Sequence, residues 1–175
     1  MKNELHNNLT PPRESLTVLV AYDTLRSAIK AKALCDRLTQ QITPACGLTL
    51  GYWSLSAMQQ PSLAQAVDNE AASAELLIVA VNGDECLETP VKRSLVRCIR
   101  RVRAHGGALV AQLYGILKMD EELSPTYGCL KQLAQELGVD FFSEVLEPVE
   151  SDFEAWIKTI HQGADMKTPL LDRIF

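Results

Sequence analysis

No hydrophobic run in this sequence is long enough to cross a bilayer. The most apolar stretch, Leu76 to Val81, is far short of the roughly 20 residues a spanning helix needs. The N-terminal stretch MKNELHNNLTPPRES is polar and lacks the apolar core of a signal peptide, so a cytoplasmic protein is expected. Cysteines are few and unpaired in pattern: Cys35, Cys46, Cys86, Cys98 and Cys129 are odd in number, scattered, and without a C-x-x-C motif. That spacing argues against a disulfide framework and against a zinc site. His6, His105 and His161 lie in separate segments and form no ligand pattern, so no metal is expected. Nor is there an excess of positive charge. A net charge of −5 gives no general reason to expect nucleic acid or a membrane surface as partner.

What is present is an alternation of apolar runs with helical periodicity. The 175 residues, 47% hydrophobic and 22% charged, suffice for one buried core and are short for two. LTVLVAYD (16–23) reads as a first strand. Ala28, Ala31, Leu34, Cys35, Leu38 and Ile42 then recur at helical spacing. LTLGYWSL (48–55) reads as a half-buried edge strand, and Leu63, Ala66, Val67 and Ala71 mark a second helix after Pro61. ELLIVAVN (75–82) is the expected central strand. Thr89-Pro90 then reads as a cap followed by a first-turn proline, with Gly106-Gly107 as the stop. ALVAQLYG (108–115) and VDFFSEVL (139–146) are the fourth and fifth strands. Ser124-Pro125 and Gly138 bracket the helix between them. Ser151 and Glu154 form a capping box before Phe153, Trp156, Ile157 and Ile160.

Five strands separated by helices predict a three-layer, doubly wound α/β fold with a five-stranded parallel sheet in the order 2-1-3-4-5. One domain over 15–162 is expected, flanked by tails at 1–14 and 163–175. The C-terminal tail carries enough apolar residues to dock on the body or on a neighbouring subunit. Such a sheet places a ligand crevice at the carboxyl ends of strands 1 and 3. The candidate ligand residues there are Asp23, Thr24, Arg26 and Ser27 after strand 1, Asn82, Gly83 and Asp84 after strand 3, and Tyr114 at the end of strand 4.

The stretch AELLIVAVNGDECLETPVKRSLVRCI resembles the third strand, loop and following helix of flavodoxins and flavin reductases, with Pro90 and Lys92 at matching places. VLVAYDTLRSAIKAKALCDRL is similar to that family's first strand and helix. The resemblance spans about the first two-thirds of the chain and implies a flavodoxin-like fold with FMN as the cofactor to test. The phosphate loop departs from it. YDTLRS has hydroxyls at Thr24 and Ser27 and a cation at Arg26, but no glycine, and Asp23 brings a negative charge to the mouth. Loop 82–89 offers Asp84, Glu85 and Glu88 and no aromatic residue to stack on a flavin. A phosphorylatable receiver fits no better. It needs an aspartate ending strand 3, a hydroxyl residue after strand 4 and a lysine after strand 5. This chain has VAVNG, then Gln112, Leu113 and Tyr114, then SEVLEP, and an amide cannot form an acyl phosphate.

Three smaller readings remain open. Asp23 is either a chemical group or a cap on the following helix. Tyr52 and Trp53 either pack under a helix or place one ring outward as an interface anchor. Cys86, among acids, is not proposed as a nucleophile. The helix after Pro90 is the sharpest charge signal. Lys92, Arg93, Arg97, Arg100, Arg101 and Arg103 are six of the seventeen basic residues, opposite a stripe of Val91, Leu95, Cys98, Ile99 and Val102. That face is either an ordinary solvated surface or a dock for an acidic partner, a phosphate-bearing molecule or a second copy. Without interleaved aromatics, single-stranded nucleic acid is disfavoured. The resulting expectation is a non-enzymatic flavodoxin-like or pseudo-receiver domain, acting in protein association or small-ligand sensing without a cofactor. The alternatives are an FMN-binding redox protein with an atypical phosphate loop, or an enzyme acting on a small phosphorylated or glycosidic substrate through Asp23 and loop 82–89.

Overall fold

A computed structural model describes residues 15–41 and 46–146. The expected tails, Ile42 and the capping box at Ser151 lie outside the described residues. Five parallel strands, β1 (Ser15–Tyr22), β2 (Gly47–Ser54), β3 (Leu76–Asn82), β4 (Ala108–Tyr114) and β5 (Asp140–Leu146), form one sheet in the order β2-β1-β3-β4-β5. This is the flavodoxin-like order anticipated from the sequence, with β3 central and β2 at an edge. The helices are α1 (Leu25–Gln41), α2 (Leu55–Met58), α3 (Ala64–Ser73), α4 (Thr89–Arg103) and α5 (Pro125–Leu137). Among the described residues, no helix is long and apolar enough to cross a membrane.

Strand pleating sorts alternate residues of β3 between two cores. Leu77, Val79 and Val81 join Leu109, Ala111 and Leu113 of β4 under α3, α4 and α5. Ile78 and Ala80 face the other way, with Val18, Val20 and Tyr22, against Ala28, Ala31 and Cys35 of α1. Both faces of β3 are thus buried, which is why its sequence is continuously apolar rather than alternating.

All five residues of the expected apolar stripe of α4 are buried, and Ser94 beside them donates to the Met58 carbonyl at 3.2 Å. Burying each such aliphatic side chain stabilises by about 1.5–3 kcal/mol, so the stripe rather than the charges fixes this helix. α4 begins one residue earlier than its sequence suggests, with Glu88 before it and no side-chain cap. In α5, Ser124 caps as expected, its Oγ accepting from the Tyr127 N–H at 3.1 Å, and Gly138 closes the helix in the left-handed region at φ 66°.

Two short elements carry no periodic signal in the sequence. Ser54 ends β2 by capping α2 through the Ala57 N–H at 3.1 Å. A 3-10 turn occupies Lys118–Leu123 ahead of α5. On edge strand β2, Trp53 packs against the α3-side core and donates from Nε1 to Glu70 at 2.9 Å. Tyr52 packs on the α1 side. Both rings are half-buried, which agrees with packing under helices.

Candidate functional site

The carboxyl ends of β1, β3 and β4 converge on one side chain, Asp23. Its Oδ2 accepts from the Asn82 N–H at 2.8 Å and from the Tyr114 hydroxyl at 2.6 Å. Its Oδ1 accepts from the Ser27 hydroxyl at 2.7 Å. Donors from three separate segments therefore serve one carboxylate. Hydrogen bonds to an ionised acceptor are the stronger kind, about 1.5–3 kcal/mol each.

Asp23 is not the helix cap. That role falls to Thr24, the residue before α1, whose Oγ1 accepts from the Ser27 N–H at 3.3 Å. Ser27 Oγ accepts in return from the Thr24 N–H at 3.1 Å. This is a reciprocal capping box with serine in the place of the usual acid. It consumes the two hydroxyl residues that a phosphate loop would have offered.

Loop 82–89 is fastened just as closely. Asn82 Oδ1 accepts from the Asp84 N–H at 2.9 Å, an Asx turn, and Asn82 Nδ2 donates to Glu85 at 3.3 Å. Gly83 is buried and donates to the Tyr114 carbonyl at 2.8 Å. The start of α5 pins the loop from the other side. Ser124 Oγ donates to the Gly83 carbonyl, and Thr126 Oγ1 donates to the carbonyls of Asn82 and Glu85.

Of the residues the sequence nominated, Asp23, Thr24, Ser27, Asn82, Gly83, Asp84 and Tyr114 thus belong to one hydrogen-bonded cluster. Arg26 is exposed on the first turn of α1. Glu85, which the enzyme alternative calls on, joins the cluster through Asn82; Ser124, Thr126 and Gly115 belong to the cluster or line it, and nothing in the sequence marks them as site residues. The Ser-Pro cap signal did place the start of α5, but not the reach of its hydroxyls across to β3. The enzyme alternative wants Asp23 to meet Asp84 or Glu85. Asp23 and Glu85 are joined through Asn82 rather than to each other.

Burial first, and then the hydrogen bond to Asp23, push the Tyr114 hydroxyl up to about 12. Between the ordinary phenol value of about 10 and that value, the unfolded chain has lost a proton that the folded chain keeps. Stability therefore declines as pH rises through this window and is intact below it. The buried thiols of Cys35 and Cys98, raised by burial from 9.0 to about 11 and about 12, steepen the same alkaline decline. Urea unfolding followed across this range measures it, and Tyr114→Phe is expected to make the slope shallower.

On α4, the arginines separate from the core stripe as expected. Arg93, Arg97, Arg100 and Arg101 are exposed and fall at i, i+4, i+7 and i+8, one face about 12 Å long. Arg97 pairs with Asp68 of α3 at 3.4 Å, a half-exposed contact of small worth. Among the described residues, Arg93, Arg100 and Arg101 have no ion pair. Lys92 is half-buried beside Cys129 and faces away from this row. No protein-family model matches the chain, and no curated protein matches it.

Proposed function

We propose that this chain is a non-enzymatic association module on a flavodoxin-like, pseudo-receiver scaffold. Its crevice is closed by its own carboxylate, and its arginine row on α4 engages an acidic partner protein. The observation that carries the first half is the triple engagement of Asp23. A phosphate entering this mouth needs the Asn82 N–H and the nearby hydroxyls, and a fixed anion already holds those donors. The second half rests on three exposed arginines of one helix face without ion pairs among the described residues, in a chain whose overall charge is −5. A cationic row of that kind steers an anionic surface and is screened by salt.

Titration with poly-glutamate, read by fluorescence anisotropy, tests this reading. The triple reversal Arg93→Glu, Arg100→Glu, Arg101→Glu is expected to weaken binding at least tenfold. Added salt should do likewise, and an Asp23→Asn variant should bind as the parent does. Binding that survives the reversal but responds to the crevice variant would refute the assignment.

A further inference from the structure

We propose that strand β2 pairs edge to edge with β2 of a second copy of this chain, antiparallel, about a two-fold axis through Leu50. Among the described residues β2 pairs with β1 alone, so its outer edge is open. That edge, GLTLGYWS, runs without a charge or a proline. Charges and prolines are the usual guards against edge-to-edge pairing. The other edge of the sheet is guarded, since β5 carries Asp140 and Glu144.

Hydrogen bonds within the sheet fix which backbone groups of β2 face outward. The Glu75 N–H donates to the Thr17 carbonyl at 2.9 Å, and the Asp23 N–H donates to the Ala80 carbonyl at 3.3 Å. Successive residues of a strand turn their backbone groups to opposite sides. Odd-numbered residues of β1 therefore serve β3, and Val18 and Val20 serve β2. Val18 stands level with Leu50, and Val20 with Tyr52. In a parallel ladder each of them bonds the residues that flank its partner, which are Thr49, Gly51 and Trp53. The N–H and C=O of Leu48, Leu50 and Tyr52 consequently point away from β1.

These outward residues are spaced to match themselves. A two-fold at Leu50 sets Leu50 opposite Leu50 and Leu48 opposite Tyr52, and each such pair exchanges both N–H···O=C bonds. Their half-buried side chains lie on the α1 side, where the two copies' clusters would join, with an aliphatic ring pair at Leu48 and Tyr52. On the α3 side the same axis sets Thr49 opposite Gly51 and Trp53 opposite Gly47, so a side chain meets a glycine each time. A two-fold also sets like charge on like charge, and this strand has none to repel. Charges flanking it are engaged within one copy. Asp36, beside Tyr52, pairs with Lys32 at 2.8 Å, and Glu70, beside Gly51, accepts from Trp53 at 2.9 Å. A second copy is the occupant this edge fits, and a strand of another protein is the rival.

Residue-resolved hydrogen exchange of the unsubstituted full chain reads this pairing directly. As the protein dimerises, the amides of Leu48, Leu50 and Tyr52 should slow about tenfold or more, while those of Thr49, Gly51 and Trp53 are protected in monomer and dimer alike. Sedimentation is expected to show the mass rising from one chain to two with concentration. Leu50→Lys sets two ammonium groups face to face at the axis and should weaken the dimer about tenfold or more. Leu50→Glu should do the same, and mixing these two variants should restore association. Thr49→Lys, at an exposed position clear of the core, should also weaken the dimer. Reversing Arg93, Arg100 and Arg101 should leave it intact. A chain that stays monomeric at every concentration overturns the proposal. So does a dimer that survives both Leu50→Lys and Thr49→Lys, a dimer lost on reversing the arginines, or slow exchange at Leu48, Leu50 and Tyr52 in the monomer.

Discussion

Asp23→Ala should lower stability by about 3 kcal/mol or more, because it leaves the Asn82 N–H and the Tyr114 and Ser27 hydroxyls without their acceptor. In a domain of this size that is a fall of about 6–12 °C in melting temperature. Asp23→Asn is the informative control, since it keeps the shape and one acceptor oxygen but turns a donor toward the donors already there. A loss for Asn nearly as large as for Ala would assign the effect to the charged acceptor. A shift of under about 1 °C for both would mean that the carboxylate is peripheral.

Gly115→Ala should cost about 2–4 kcal/mol from two sources that act together. Gly115 has φ 79°, and a Cβ there would meet Asn82 Oδ1 at 2.7 Å. The left-handed backbone alone costs an L-residue about 1–2 kcal/mol. The collision then pushes away the amide that holds Asp84 and Glu85, so the loop loses its Asx turn. Chemical unfolding gives the size of the loss. Hydrogen exchange at 83–86 locates it, and faster exchange confined to that loop is the expected signature. Unchanged exchange there would show that the loop is held from α5 alone.

The fold was legible because its signals are local and repeated. Val91, Leu95, Cys98, Ile99 and Val102 recur at helical spacing and are buried together, and β3 is apolar throughout because both its faces are covered. Short elements without periodicity, Leu55–Met58 and Lys118–Leu123, were not. The site was legible in position but not in wiring. Asp23 could be placed at the mouth, and its negative charge could be seen to disfavour a phosphate. Its partners, however, lie 59 and 91 residues away in Asn82 and Tyr114, and pairings at that range depend on strand register that no local pattern encodes. Whether Asp23 caps α1 was undecidable from sequence for the same reason: Asp and Thr are both good caps, and only the tertiary donors decide that Asp23 is engaged elsewhere and Thr24 caps.

On the proposed reading, the mouth of the sheet is occupied from within by Asp23 and grips no phosphate. An amide-resolved NMR titration of the full chain with FMN, and separately with inorganic phosphate, tests it most directly. The expected result is a colourless protein whose amide signals at 23–27 and 82–85 stay in place as either compound is added. Saturable shifts confined to those two loops, or a yellow protein that retains FMN through purification, would contradict it.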